Sequence, residues 1–402
     1  MALSDYSLWR APYHHEDLDD AHNHVHWIEL FYDLIHVVCV FMLGNYLSQH
    51  LSIQGFLIFA GLFTVIWMAW AETSYFSSLY VSTDVYHRCI MSAQVCTVML
   101  MAASIPDITG KGSLFFAVAY AFNRGLTALL YRRIIWGNTK AHRVSHEMSR
   151  NFFFAALVFL LSAFLPSPWN YWLFGITIIL IQISFFHPKY GVMRLKRFTP
   201  RIAHFSERFA LLFLIVMGEG FFKLVIALSE KGVNNVRPDI LINFFLSGTT
   251  IFILTWAYFD YVGNGHQRTD HKKYKIRWWY SHLLLMLAAI VIGIALKAGV
   301  QIDFFEQYPF KYALLGCGGL VLFCISLALI QSSIKRHSGH LFYTRGVQLF
   351  GIVMAIITLC AVPFVAAWVG NILFAIAVIS QIFIPMIKAV KAIKTKNKKA
   401  NT

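Results

Sequence analysis

The feature that most constrains this chain is its recurring apolar stretches, because a hydrocarbon core of roughly 30 Å is crossed by about twenty helical residues. The stretches predict helical spans at 28–48, 53–75, 87–105, 114–135, 151–166 and 169–187. A second set follows at 204–228, 241–262, 277–299, 310–331, 344–362 and 364–387. In lipid, backbone N–H and C=O groups must be satisfied within the chain, so such a pattern specifies helices. The composition agrees, with 58% hydrophobic and 13% charged residues in 402, where a soluble domain carries roughly 25% charge. The expected fold is an all-α, polytopic transmembrane bundle of about twelve helices. Its predicted layout is a polar tail (1–27), a six-helix half (28–190), a second six-helix half (204–387) and a basic tail (388–402).

Loop charges give the bundle a direction. Of the 34 Lys and Arg residues, 27 fall on the side of both tails and 5 on the other, with Arg124 and Lys223 inside the spans. Basic loops stay in the cytoplasm, which places both termini there and the protein in the plasma membrane, the inner membrane of a cell with two. The same asymmetry accounts for the net charge of +15 without a nucleic-acid partner; the expected partners are the bilayer and a small solute or ion. The first 27 residues hold one basic residue, Arg10, and lack the form of a signal peptide. The six cysteines sit in apolar segments without zinc-ligand spacing and read as small buried hydrophobes.

Two tandem halves are suggested by a faint repeat. Thr64, Trp70, Ala71 and Tyr75 recur at a constant offset as Thr250, Trp256, Ala257 and Tyr261, and Glu29 with Phe31 recurs as Glu207 with Phe209. Transporters built from internal repeats bind their substrates where the repeats meet, and a working site between the halves is the corresponding expectation.

Charges within the spans are the candidate functional residues, since each costs at least ~2.5–3.5 kcal/mol at bilayer depth. Glu29, Asp33 and His36 share one face of the first helix through spacings of four and three. They are placed to pass a proton, hold a cation or accept an arginine; the plainer alternative is stabilisation of a helix N-terminus. Glu219 and Lys223 lie mid-span in the favoured order for an i,i+4 pair. Arg124 must meet a carboxylate, with Glu72, Asp33 and Glu219 as candidates. Asp84, Arg88, Glu207, Arg208 and Asp260 fall near span ends and read as interfacial clamps. His14-His15-Glu16, followed by Asp19, Asp20, His22, His24 and His26, is a compositional metal-binding signal, read more simply as a pH-responsive tail. His142, His146 and Glu147 read as a solvated helix face. No metal residue is assigned.

The chain also resembles a known family. Glu29-Leu30-Phe31-Tyr32-Asp33-Leu34 is similar to the signature opening the first helix of the bacterial low-temperature-requirement A family. In chain order follow Trp67-Met68-Ala69-Trp70 with Tyr75, Asp84 and Arg88, then Ala119-Tyr120 with Arg124. His204, Glu207-Arg208-Phe209, Ile215-Val216-Met217-Gly218-Glu219 and Trp256-Ala257-Tyr258-Phe259-Asp260 complete the resemblance. His36 and the stretch Gly220-Phe221-Phe222-Lys223 depart from the usual pattern. The resemblance implies a multi-pass membrane protein linked by name to growth in the cold, and it supplies no activity.

Nucleotide-phosphate loops, GxGxxG, GxSxG and HExxH are all missing from the sequence. ATP-driven pumping, dinucleotide cofactors and the commonest hydrolase chemistries thus have no support, and no cofactor is expected. The favoured function is a secondary transporter or ion- or proton-conducting protein. The alternatives are a membrane-embedded enzyme or lipid-handling factor, which would use the clamp residues, and a sensor with the histidine-rich tail as its input.

Overall fold

The computed structural model describes residues 12–17, 25–82, 84–137, 142–187, 189, 191–195, 199–232, 237–263, 268, 271–335 and 345–400. Asp19, Asp20, His22 and His24 lie outside them. Among the described residues the chain forms twelve long helices. They are α1 (Trp27–Gln49), α2 (Ile53–Leu79), α3 (Val85–Ser104), α4 (Gly112–Gly137), α5 (His142–Ala163), α6 (Trp169–Phe186), α7 (Ile202–Lys231), α8 (Pro238–Tyr258), α9 (Lys272–Gln301), α10 (Phe310–Gln331), α11 (Arg345–Ala361) and α12 (Ala367–Ala400). The only sheet among the described residues pairs strand β1 (Tyr13–His14) with β2 (Tyr80–Val81) in antiparallel register.

Local chemistry sets the helix ends. The side chains of Ser52 and Asp84 accept the backbone N–H groups of Gly55 and His87, at 3.0 and 3.2 Å, satisfying donors that a helix start leaves open. Pro238 opens α8 at a position where a missing N–H costs nothing. Gly232, at φ 80°, follows the last turn of α7, the left-handed position glycine fills without strain.

The structure adjusts several predicted boundaries. Helix α2 continues beyond the predicted end at 75 to Leu79, because Ser74, Ser77 and Ser78 are buried in protein and need no exit to water. Helix α12 runs through the basic segment to Ala400, since lysines remain good helix formers once they leave lipid. Eleven of the twelve helices are long and apolar enough to cross a membrane; α5 is the exception. Its first nine residues include Arg143, His146, Glu147 and Arg150, leaving a short apolar run. All six cysteines are unpaired, yet Cys89, Cys96 and Cys360 are exposed. The expectation that all six are buried therefore holds for Cys39, Cys317 and Cys324 alone.

The chain divides into two compact units, Met1–Arg208 and Phe209–Thr402. In the first unit, α1 packs on α2 and α3, α4 lies between α3 and α5, and α6 returns against α5. The first turns of α7 belong to this unit. In the second, α9 is the central helix, almost wholly buried, with α8 and α10 against it and α12 against α8 and α11. Large apolar side chains point outward in both units, among them Phe154, Phe164, Trp172, Phe245 and Phe364, as a lipid-facing surface requires.

Candidate functional site: buried charge networks

Within the first unit, one turn of α1 and the first turns of α7 bring four ionisable side chains together. Asp33 accepts the indole N–H of Trp70 from α2 at 2.6 Å. Its two oxygens also take the guanidinium of Arg208, through Nε at 3.1 Å and through Nη2. One turn earlier, Glu29 Oε2 lies 3.0 Å from His204 Nε2 and 3.7 Å from Arg208 Nη1. Arg208 Nη2 donates to the Glu29 carbonyl at 3.4 Å as well. His204 is steadied from its other ring nitrogen, where Nδ1 meets the Ser78 hydroxyl at 3.1 Å. The four charged or titratable side chains and Trp70 are all buried.

Around these four lie polar backbone, a second guanidinium, and the imidazoles of His26 and His87, both within electrostatic reach of Glu29. Arg201, just before α7, donates to the carbonyls of Ser77 and Ser78 at 2.9 and 3.4 Å and acts electrostatically on Glu29. It lies outside the spans, and burial draws its pKa below the ordinary value.

A second network lies in the same unit. Arg124 of α4 pairs with Glu72 of α2, donates to the Ala69 carbonyl at 3.0 Å and reaches the Asn123 side-chain oxygen. Gln182 of α6 donates to the other Glu72 oxygen at 2.9 Å. Asn123, Thr97, Thr127 and Gln94 extend the network by side-chain hydrogen bonds of 2.8 and 3.0 Å. His36 stands between the two networks, within electrostatic reach of both Arg208 and Arg124. Its Nδ1 donates to the Tyr32 carbonyl at 2.7 Å, while its Nε2 has no hydrogen-bond partner among the described residues.

The structure regroups the residues singled out from sequence. Glu29, Asp33, His36, Glu72 and Arg124 gather in the first unit, and Arg124 takes Glu72 of its three candidates. Arg208, expected as a clamp at a helix start, is buried against Asp33 because α7 delivers it to α1. Asp84 does cap α3, and it pairs with Arg133 of α4, a residue that sequence reasoning passed over. Arg88 lies over the Trp27 ring at 5.9 Å. Glu207 and Asp260 are exposed. In the second unit, Glu219 and Lys223 form the expected i,i+4 pair and are both buried. Glu147 pairs with Arg194 at 3.1 Å and Arg143 at 3.7 Å, which occupies one candidate ligand of its loop.

His204, Gln182 and Arg133 carry much of this chemistry without having been chosen as site residues. His204 enters the sequence pattern only as part of a family-like motif. The usable signal is polarity inside an apolar run: Gln182 falls within the predicted span 169–187 and Arg133 within 114–135, nine residues after Arg124.

An all-α bundle with eleven membrane-length helices and fully desolvated ion pairs defines a multi-pass integral membrane protein. Residues 24–382 match the family model described as bacterial low temperature requirement A protein, and the chain belongs to that family. It is also 25% identical over 425 residues to a protein of Rhizobium meliloti (strain 1021) described as uncharacterized, with 94% of this chain and 97% of the relative covered.

Proposed function

We propose that this protein is a secondary transporter or ion-conducting protein in which a proton or small cation is exchanged at the Glu29–Asp33–His204–Arg208 network. The observation that carries the reading is charge imbalance in a buried site. Two carboxylates share one buried guanidinium, with an imidazole as the fourth member. Glu72 with Arg124 and Glu219 with Lys223 are one-to-one pairs that balance themselves.

A net negative charge is costly in a low-dielectric interior, so the network gains by taking one positive charge. A proton taken up by the network supplies it, as does a small cation between Glu29 and the imidazole. Arg201 offsets part of the charge from the rim while donating to the Ser77 and Ser78 carbonyls. One turn along α1 from Asp33, His36 lies within electrostatic reach of Arg208 and of Arg124, the arginine of the second network. The basic loops support insertion in the plasma membrane with both termini in the cytoplasm.

The test is flux in proteoliposomes carrying a pH-sensitive dye, under imposed proton, sodium and potassium gradients. Wild type is expected to carry one of these ions, with Glu29→Gln slowing it at least tenfold. No flux above empty vesicles, or full flux in Glu29→Gln, overturns the reading.

A further inference from the structure

The N-terminal segment carries a second cluster, independent of the function proposed above. His14, His15 and Glu16 each offer a ligand atom, and these atoms lie within 4.8 Å of one another. The segment is docked: Tyr13 and His14 pair with Val81 and Tyr80 through β1 and β2. His14 is fully buried, its ring edge-on to Tyr80 at 5.5 Å and stacked on His15 at 4.7 Å.

Hydrogen bonding sets both imidazoles in the form a metal requires. The Thr199 carbonyl 2.9 Å from His15 Nε2 only accepts, so Nε2 carries the proton and Nδ1 keeps its lone pair. A ligand histidine giving its second N–H to a backbone carbonyl is the usual way such rings are oriented. His14 Nδ1 accepts the Glu16 N–H at 3.2 Å, so this nitrogen too carries a lone pair. The Glu16 carboxylate lies 4.0 Å from that same nitrogen.

We infer that His14, His15 and Glu16 form a binding site for a divalent transition-metal ion of the zinc type, which fastens the N-terminal segment to β2 and to Thr199. Two imidazoles and one carboxylate are a set zinc accepts, leaving a fourth position for water. Ligand bonds of ~2.0–2.1 Å require the three atoms to draw together; the Glu16 side chain is exposed, and the 3.2 Å amide contact to His14 Nδ1 is what the ion replaces. Cobalt takes the same geometry and reports it optically. The occupied site lies beside the Arg201 end of the charge network, since Thr199 is two residues before Arg201.

The test uses full-length, tag-free protein in detergent, stripped with chelator and titrated with Co2+, then competed with Zn2+. One equivalent of Co2+ with tetrahedral visible bands, displaced by Zn2+, is expected. His15→Ala and Glu16→Gln should each weaken binding at least tenfold. A triple His22→Ala, His24→Ala, His26→Ala variant should retain it. Glu16→Gln changes an exposed side chain, and an unchanged melting temperature in the stripped state separates lost ligation from lost folding. Absence of stoichiometric binding, wild-type affinity in Glu16→Gln and His15→Ala, or loss in the triple variant overturns the inference.

Discussion

At the scale of single residues, Arg208 is the side chain on which most of the buried charge depends. It serves Asp33 through two donors and Glu29 through a third contact, so its loss strands two carboxylates in the interior. Breaking a buried pair from one side costs roughly 3–5 kcal/mol, while removing both partners costs far less. Arg208→Gln should therefore lower the melting temperature in detergent more than Asp33→Asn does. The double variant should fall short of the sum by ~1–2 kcal/mol in a double-mutant cycle; strict additivity would show that the two side chains are not coupled. The individual charges were legible in the sequence, because Asp33 and Arg124 stand out in apolar surroundings. Their partners were less so. Arg208 sits 175 residues from Asp33, and no spacing rule relates positions on helices that meet only after folding. Glu219 and Lys223 show the contrast: a local i,i+4 pair is readable because one helix fixes both ends.

At the scale of elements, helix existence followed from hydropathy, and helix ends did not. The segments where prediction stopped short, 76–79 in α2 with Ser77 and Ser78 and the lysine-rich end of α12, both carry polar residues. A hydropathy rule cannot tell polar residues buried in protein from polar residues leaving lipid. The suggested repeat shows the same limit. Trp70 is fully buried on Asp33 while its counterpart Trp256 is 37% exposed, and Glu29 is buried while Glu207 is exposed, so matching letters sit in different surroundings. Helix packing is more informative. In the second unit α10 meets α9 through glycines: a Cβ on Gly319 would stand 2.9 Å from Ile292 Cγ1 and 3.3 Å from the Ala288 carbonyl oxygen. One on Gly316 would stand 3.1 Å from Ala295 Cβ. Small residues let membrane helices approach where hydrophobic exclusion gives no drive. Gly319→Val should cost about 1–3 kcal/mol by overpacking, whereas Gly318→Ala, which meets nothing within 4 Å, should be neutral or slightly stabilising. Equal melting temperatures for the two variants would remove the close contact as an organising feature.

At the scale of the whole molecule, the number of crossings decides where every later loop lies, and α5 is the helix on which the number turns. If α5 stayed at the surface, all that follows would invert, and the basic residues would divide 21 against 11 rather than 27 against 5. Twelve crossings thus collect the cations on one side much more completely, which is the arrangement the insertion machinery favours. The packing of α5 points the same way. Its Ser149 donates to the Ala128 carbonyl at 3.0 Å, Phe152 stacks beside Tyr131 at 5.9 Å, and Phe159 meets Tyr120 edge-on at 4.8 Å. Those contacts run antiparallel along α4 between Tyr131 and Tyr120, about three turns of it, so α5 lies alongside the middle of α4. On its other flank, Phe152 and Phe159 meet Phe185 and Phe174 of α6 at 5.8 and 4.6 Å. The polar first turns of α5 then need no lipid contact of their own, because Ser145 and Ser149 are buried and Glu147 is held by Arg194. Single cysteines placed at Ser4, Ser167 and Thr402, in a background with the six native cysteines replaced by serine or alanine, test the parity with a membrane-impermeant maleimide. In sealed cells Ser167→Cys should label while Ser4→Cys and Thr402→Cys stay protected until the membrane is opened. Labelling of one terminus without the other would mean an odd number of crossings, with α5 lying along the membrane surface.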